Sequence, residues 1–135
     1  FDQIVCLEVL EHLYLEQAES TLKLFARAAS PGAMLFVTTP NVRSAWPAIE
    51  WLLDRSGLVP TLDEAQHLTL FSRGLLRRCC ESAGWAVEEL GAFNGVAPFV
   101  APVSERLAGG VARIEFAGRR WLPLNLLYCR ARLRA

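Results

Sequence analysis

The stretch QIVCL at positions 3–7, followed by EQAESTLKLFARAA at 16–29 and AMLFVTT at 33–39, decides the fold. QIVCL is short, apolar and bounded by polar residues, so it reads as a strand buried on both faces. In the next segment Leu22, Phe25, Ala26 and Ala29 recur at helical spacing, and Ser30-Pro31-Gly32 stops the helix. AMLFVTT is a second buried strand, ended by Pro40-Asn41. Strand, helix and strand joined by short turns is the βαβ signature of a parallel sheet.

The alternation continues outward. Between Ser44 and Ser56, Pro47 stands near the start of a helix carrying Trp46, Ile49, Leu52 and Leu53, with Gly57 at its end. Residues 58–71 read as an irregular connection. Ser72 is placed to N-cap RGLLRRCCESA, Gly84 to end it in a left-handed turn, and WAVEEL (85–90) alternates as a strand. GVAPFVAPV (95–103) reads as a proline-punctuated apolar loop. SERLAGGVARIEFAGRRW (104–121) reads as an amphipathic helix weakened by Gly109 and Gly110, each costing roughly 1 kcal/mol relative to alanine. NLLYCRARL (125–133) closes the pattern as a last strand, so 1–135 reads as one continuous α/β unit.

Composition excludes several classes. With 53% apolar and 21% charged residues in 135, the chain has the makings of one packed core and is no disordered tail. It holds no uncharged apolar run of 18 or more residues, so no membrane partner is expected. The four cysteines, Cys6, Cys79, Cys80 and Cys129, form neither a C-x-x-C pair nor a zinc-type spacing, and a reducing, cytoplasmic setting is the expectation. Formal net charge is zero, yet residues 1–91 carry 12 acids against 7 bases and residues 92–135 carry 2 against 7. The basic part can meet an anionic substrate or surface, or be a solvated face. Of the 14 basic residues only Lys23 is a lysine, which gives no ground for a nucleic-acid partner. The chain opens on Phe1 and its one methionine is Met34, so it is expected to be a piece of a longer protein.

FDQIVCLEVLEHL, then SPGAMLFVTTPN, then HLTLFSRGLLRRCCESAGWAVEEL together resemble, in that order, the second half of a class I S-adenosylmethionine-dependent methyltransferase. The likeness covers roughly residues 1–91, with 125–133 as a weaker match. It implies a Rossmann-like methyltransferase sheet that is incomplete: strands 4 to 7 with flanking helices, without the N-terminal cofactor-binding strands. Residues 1–135 would then be the C-terminal part of a single methyltransferase domain. The family's glycine-rich turn, whose lack of side chains lets the backbone approach the ligand, has no counterpart in this sequence. By the same resemblance, Cys6, Leu7 and Glu8 follow the strand that contacts S-adenosylmethionine. Cys6 also reads as a small buried apolar residue.

If EVLEHL opens a helical turn, Glu8, Glu11 and His12 share one face, at the strand end where open α/β sheets bind ligands. With His67, two carboxylates and two imidazoles make a candidate site for a divalent cation, Mg, Mn or Zn. The spacing is similar to the E-x-x-E-H plus distal histidine of metal-dependent O-methyltransferases, among them ubiquinone-type catechol enzymes and small-RNA terminal-ribose enzymes. Structural capping by Glu11 and His12, and loop anchoring by His67, are the alternatives. Glu8 and His12 are the candidate general bases for an acceptor that must lose a proton. Asn41 can bind substrate or form an ordinary turn, and Trp46, Trp51 and Phe71 can wall a pocket or belong to the core.

The activity implied is methyl transfer from S-adenosylmethionine to an oxygen of a small molecule, with the chain inactive by itself because it lacks the glycine turn. The alternatives are a methyltransferase-like scaffold without catalysis and another nucleotide-binding α/β enzyme such as a dehydrogenase. Uncovered strand faces predict self-association through an exposed sheet edge.

Overall fold

Four strands, β1 (Gln3–Leu7), β2 (Met34–Pro40), β3 (Trp85–Phe93) and β4 (Leu126–Leu133), form one sheet in the order β1-β2-β4-β3 in the computed structural model, which describes residues 1–44, 55 and 67–134. β1 and β2 pair in parallel from Gln3 opposite Met34 to Leu7 opposite Thr38. β4 runs antiparallel to both β2 and β3, so the sheet is mixed, and β1, β2 and β3 point the same way.

Helix α1 (Leu15–Ala28) makes the crossover between β1 and β2 and buries Ala18 and Leu22. The backbone N–H of Tyr14 donates to the Gln17 carboxamide at 3.1 Å, which satisfies a donor otherwise orphaned at a helix start. Helix α2 (Arg73–Ser82) begins as its sequence predicts, with the Ser72 hydroxyl accepting the Leu75 N–H at 3.3 Å. It ends at Gly84, whose φ of +95° is the left-handed conformation that glycine adopts without strain. Both helices pack on one face of the sheet. Leu35, Val37, Leu127, Cys129 and Ala131, alternate residues of the two central strands, are buried there with Leu22, Leu76 and Trp85. The Trp85 indole N–H donates to Leu22 O at 3.1 Å and fixes β3 to α1.

The opposite face is different. β1 is an edge strand, and Val5 and Leu7 are exposed on it, so the expectation of burial on both faces fails for this strand. Among the described residues nothing pairs with its outer edge or covers that face. Further along the same side Phe36 and Phe93 pack around Tyr128. A bulge between Val87 and Glu89 brings two consecutive glutamates within reach of Arg130, at 3.6 Å for Glu88 and 3.7 Å for Glu89.

The apolar loop expected over 95–103 contains a one-turn helix, α3 (Ala97–Val100), and 105–118 is helical in spite of its two glycines. That helix, α4 (Glu105–Gly118), is N-capped by Ser104, whose hydroxyl accepts the Leu107 N–H at 3.3 Å. Its buried Glu115 accepts the backbone N–H groups of Gly95, Val96 and Ala97 at 3.2, 2.5 and 3.2 Å. The Arg73 guanidinium donates to the carbonyls of Arg119, Arg120 and Leu122 and so ties the start of α2 to the end of α4. No described helix is long and apolar enough to cross a membrane. The helix expected over 44–56, with Trp46 and Trp51, and the first part of the 58–71 connection lie outside the described residues, Ser44 and Arg55 excepted; residues 67–71 are irregular as expected.

Candidate functional site

The site forms where β1 and β2 end side by side. The Glu8 N–H donates to Thr38 O at 3.2 Å, one step beyond β1, and the chain then turns sharply because Glu8 takes a φ of +51°. A glutamate in the left-handed region is uncommon and costs free energy that the surroundings must offset. A single 3-10 turn, Leu10–His12, follows, held down by the fully buried Leu10. The expected stacking of Glu8, Glu11 and His12 on one helical face therefore starts too early, since the helical turn begins at Leu10.

Glu11 is buried, and the Thr39 hydroxyl donates to its Oε2 at 3.2 Å. Burial, and after it the charge of Glu8, pushes the Glu11 carboxyl above the usual range; hydrogen bonds from its own N–H and from Thr39, and the nearby His12, pull the other way. His12 Nε2 lies 3.9 Å from Glu11 Oε1. The segment bearing His67 is fastened to this turn by backbone bonds from Leu68 and Thr69 to Glu11 O, at 2.8 and 3.1 Å, and by the Thr69 hydroxyl on Leu13 O at 2.6 Å. The two imidazole rings consequently stand 5.4 Å apart, and ligand atoms of Glu11, His12 and His67 all lie within 4.8 Å of one another.

Glu8 does not join that set. Its Oε1 is buried and has no hydrogen-bond partner among the described residues. Cys6 turns its thiol into the core, where burial and then the Glu11 charge push it up to about 11, whereas Leu7 projects from the opposite face and is exposed. Asn41 is engaged structurally: Nδ2 donates to Leu124 O at 2.8 Å, and Oδ1 accepts the Arg43 N–H at 3.1 Å. Phe71 belongs to the core. Thr39 and Thr69, which position Glu11 and the His67 segment, escaped the sequence reading because threonine at a strand end or in a loop carries no distinctive pattern.

A family model described as a methyltransferase domain matches residues 1–90. The chain belongs to the methyltransferase domain family. Solved structures agree on the fold. A SAM-dependent methyltransferase from Archaeoglobus fulgidus superposes with a TM-score of 0.64 at 17% identity over 98% of this chain and 59% of its own. Magnesium protoporphyrin IX methyltransferase (ChlM) from Synechocystis PCC 6803, solved with bound SAH, gives 0.57 at 14% over 100% and 45%. The [4+2]-cyclase SpnF gives 0.57 at 15% over 100% and 51%. No curated protein matches the chain significantly. This methyltransferase domain thus spans about half the length of the structures it matches, and its sheet is the open, incomplete form of theirs.

Proposed function

We propose that the chain is the C-terminal half of an S-adenosylmethionine-dependent methyltransferase acting on an oxygen of a small molecule. The observation that carries this reading is Glu8: a strained residue at the C-terminal end of β1, with a buried carboxylate oxygen that has no donor among the described residues. A ligand hydroxyl or amine would satisfy that oxygen, and the strand end is where sheets of this kind bind ligands. S-adenosylmethionine supplies an activated methyl group on a sulfonium sulfur. Leu7 offers an exposed apolar surface beside Glu8, and Cys6 contributes backbone and packing because its thiol is in the core. His12, exposed beside the Glu11 carboxylate, is the residue to take the acceptor's proton, and Glu8 is the second candidate.

Glu11, His12 and His67 would hold a divalent cation at the same strand end. One carboxylate and two imidazoles suit Zn or Mn better than Mg, which prefers oxygen donors. A cation there would lower the pKa of an acceptor hydroxyl.

The test is methyl transfer by the longer protein containing this chain. Glu8→Ala/His12→Ala is expected to lower turnover by roughly 10²-fold or more; wild-type turnover in that variant would remove the assignment. The cyclase among the structural neighbours keeps a second reading in view, a methyltransferase fold without methyl transfer. SAH binding by the longer protein with no transfer to any small hydroxyl compound would favour it.

A further inference from the structure

β3 and β4 are antiparallel neighbours, yet residues 94–125 join them in place of a tight hairpin, and α4 is the main element of that excursion. Along α4 and the turn after it, an arginine followed by a large apolar residue recurs every seven positions: Arg106-Leu107, Arg113-Ile114, Arg120-Trp121. Seven residues are close to two helical turns, so the pairs form two parallel stripes about 100° apart. The turn extends the helical path far enough to include the last pair, since Trp121 N–H donates to Gly118 O at 2.9 Å.

The apolar stripe faces solvent: Leu107, Ile114 and Trp121 are 62%, 70% and 81% exposed, and Val103, one turn before Leu107, is 84% exposed. α4 contacts the rest of the protein through another side, marked by the buried Ala108 and Glu115. Arg106, Arg113 and Arg120 are exposed and form no ion pair with any described residue. Little negative charge opposes them, because Glu105 is the one exposed acid of the helix and Glu115 is buried against the Gly95, Val96 and Ala97 amides. A Cβ at Gly109 or Gly110 would meet nothing, so the helix surface on either side of the arginine stripe is open as well.

We propose that α4 lies on an anionic lipid surface, with Leu107, Ile114 and Trp121 in the boundary between headgroups and acyl chains and the three arginines on the lipid phosphates. Apolar residues with arginines on the flank, and an exposed tryptophan at one end, are what an interfacial helix requires. A coiled coil with a second copy is the weaker fit: two heptads interrupted by Gly109-Gly110 fall short of the three or four that sustain one. The lack of an uncharged apolar run of 18 residues speaks only against a spanning segment, whereas this surface requires only one exposed stripe.

The experiment is flotation of the 135-residue chain with vesicles of phosphatidylcholine alone and of phosphatidylcholine mixed with phosphatidylglycerol, with circular dichroism to establish that each protein is folded. Binding is expected to the mixed vesicles, to weaken with added salt, and to be largely absent from phosphatidylcholine. Removing three charges in Arg106→Gln/Arg113→Gln/Arg120→Gln is expected to weaken it about a hundredfold. Leu107→Ser/Ile114→Ser/Trp121→Ser is expected to abolish it with the arginines in place. If that variant unfolds, the single substitution Leu107→Ser, at an exposed position, must still weaken binding. Folded wild-type chain that stays off the mixed vesicles, or binds both vesicle types equally, overturns the proposal. So does an apolar-stripe variant that converts a dimer to a monomer in the ultracentrifuge while still binding vesicles, since the stripe would then serve self-association.

Discussion

The Thr39 hydroxyl donates to the Glu11 carboxylate at 3.2 Å and ties the end of β2 to the turn after β1. Burial, and after it the Glu8 charge, holds the Glu11 carboxyl above its ordinary value of 4.5. A group with a raised folded pKa binds its proton more tightly in the folded state. Its contribution is therefore complete below the unfolded pKa and is lost as pH rises through the folded one. Glu11→Gln has no such proton and retains an acceptor for Thr39. In chelator-treated buffer its stability relative to wild type should rise as the pH is raised above the ordinary carboxylate value of 4.5, in urea denaturation. A difference that stays constant with pH would show that Glu11 titrates as an ordinary surface carboxylate.

Glu115 is the organising residue of the α3–α4 region, since one carboxylate closes the start of a helix of only four residues through three backbone N–H groups. Glu115→Ala leaves those donors without their acceptor in a partly buried place. The expected cost is about 2–3 kcal/mol, and thermal or urea unfolding measures it. Glu115→Gln should recover part of that, because one amide oxygen remains. A cost below about 0.5 kcal/mol for the alanine variant would mean that water replaces the carboxylate.

Gly109 and Gly110 sit inside α4 with open space where a side chain would go, and neither has a positive φ. Alanine at either position should stabilise the protein by about 0.5–1 kcal/mol by restricting the unfolded chain and favouring helix. The midpoint of urea unfolding should rise while its slope stays unchanged. Destabilisation by either substitution would show that the glycines meet a surface beyond the described residues.

The β1-α1-β2 unit, the Ser72 cap and the Gly84 terminator were legible because local chemistry determines them: periodicity, a hydroxyl at a helix start, a left-handed residue at its end. The antiparallel insertion of β4 between β2 and β3 was not, since strand order arises from contacts between residues such as Val37 and Cys129 that are far apart in sequence. Exposure of Val5 and Leu7 was illegible for a related reason: apolar character shows that a face is suited to burial, not whether anything covers it. At the site, E-x-x-E-H marked Glu11 and His12. It placed Glu8 with them wrongly, because spacing alone cannot reveal a left-handed φ that interrupts the helical path. His67, set beside His12 in the sequence because the chain has only these two histidines, is brought to it by the backbone bonds from Leu68 and Thr69 to Glu11 O, which leave no trace in side-chain pattern.

All four cysteines are free and buried, and this bears on their reactivity. Burial raises the Cys6 thiol to about 11 and, with the Glu19 charge next in size, raises Cys79. The contact with Cys129, 3.9 Å away, and burial after it hold Cys80 protonated. Thiolate is the reactive form, and at about pH 8 a thiol of pKa about 11 is ionised to only about one part in a thousand. The same contact with Cys80 lowers the Cys129 thiol, but that side chain is fully buried, so a disulfide reagent should find no fast-reacting thiol in the native chain and four once the chain is denatured. Mass spectrometry of the native sample should show unmodified Cys6. Rapid labelling of Cys6 under native conditions would place its thiol at an accessible site and would reopen a direct side-chain role for it beside Glu8.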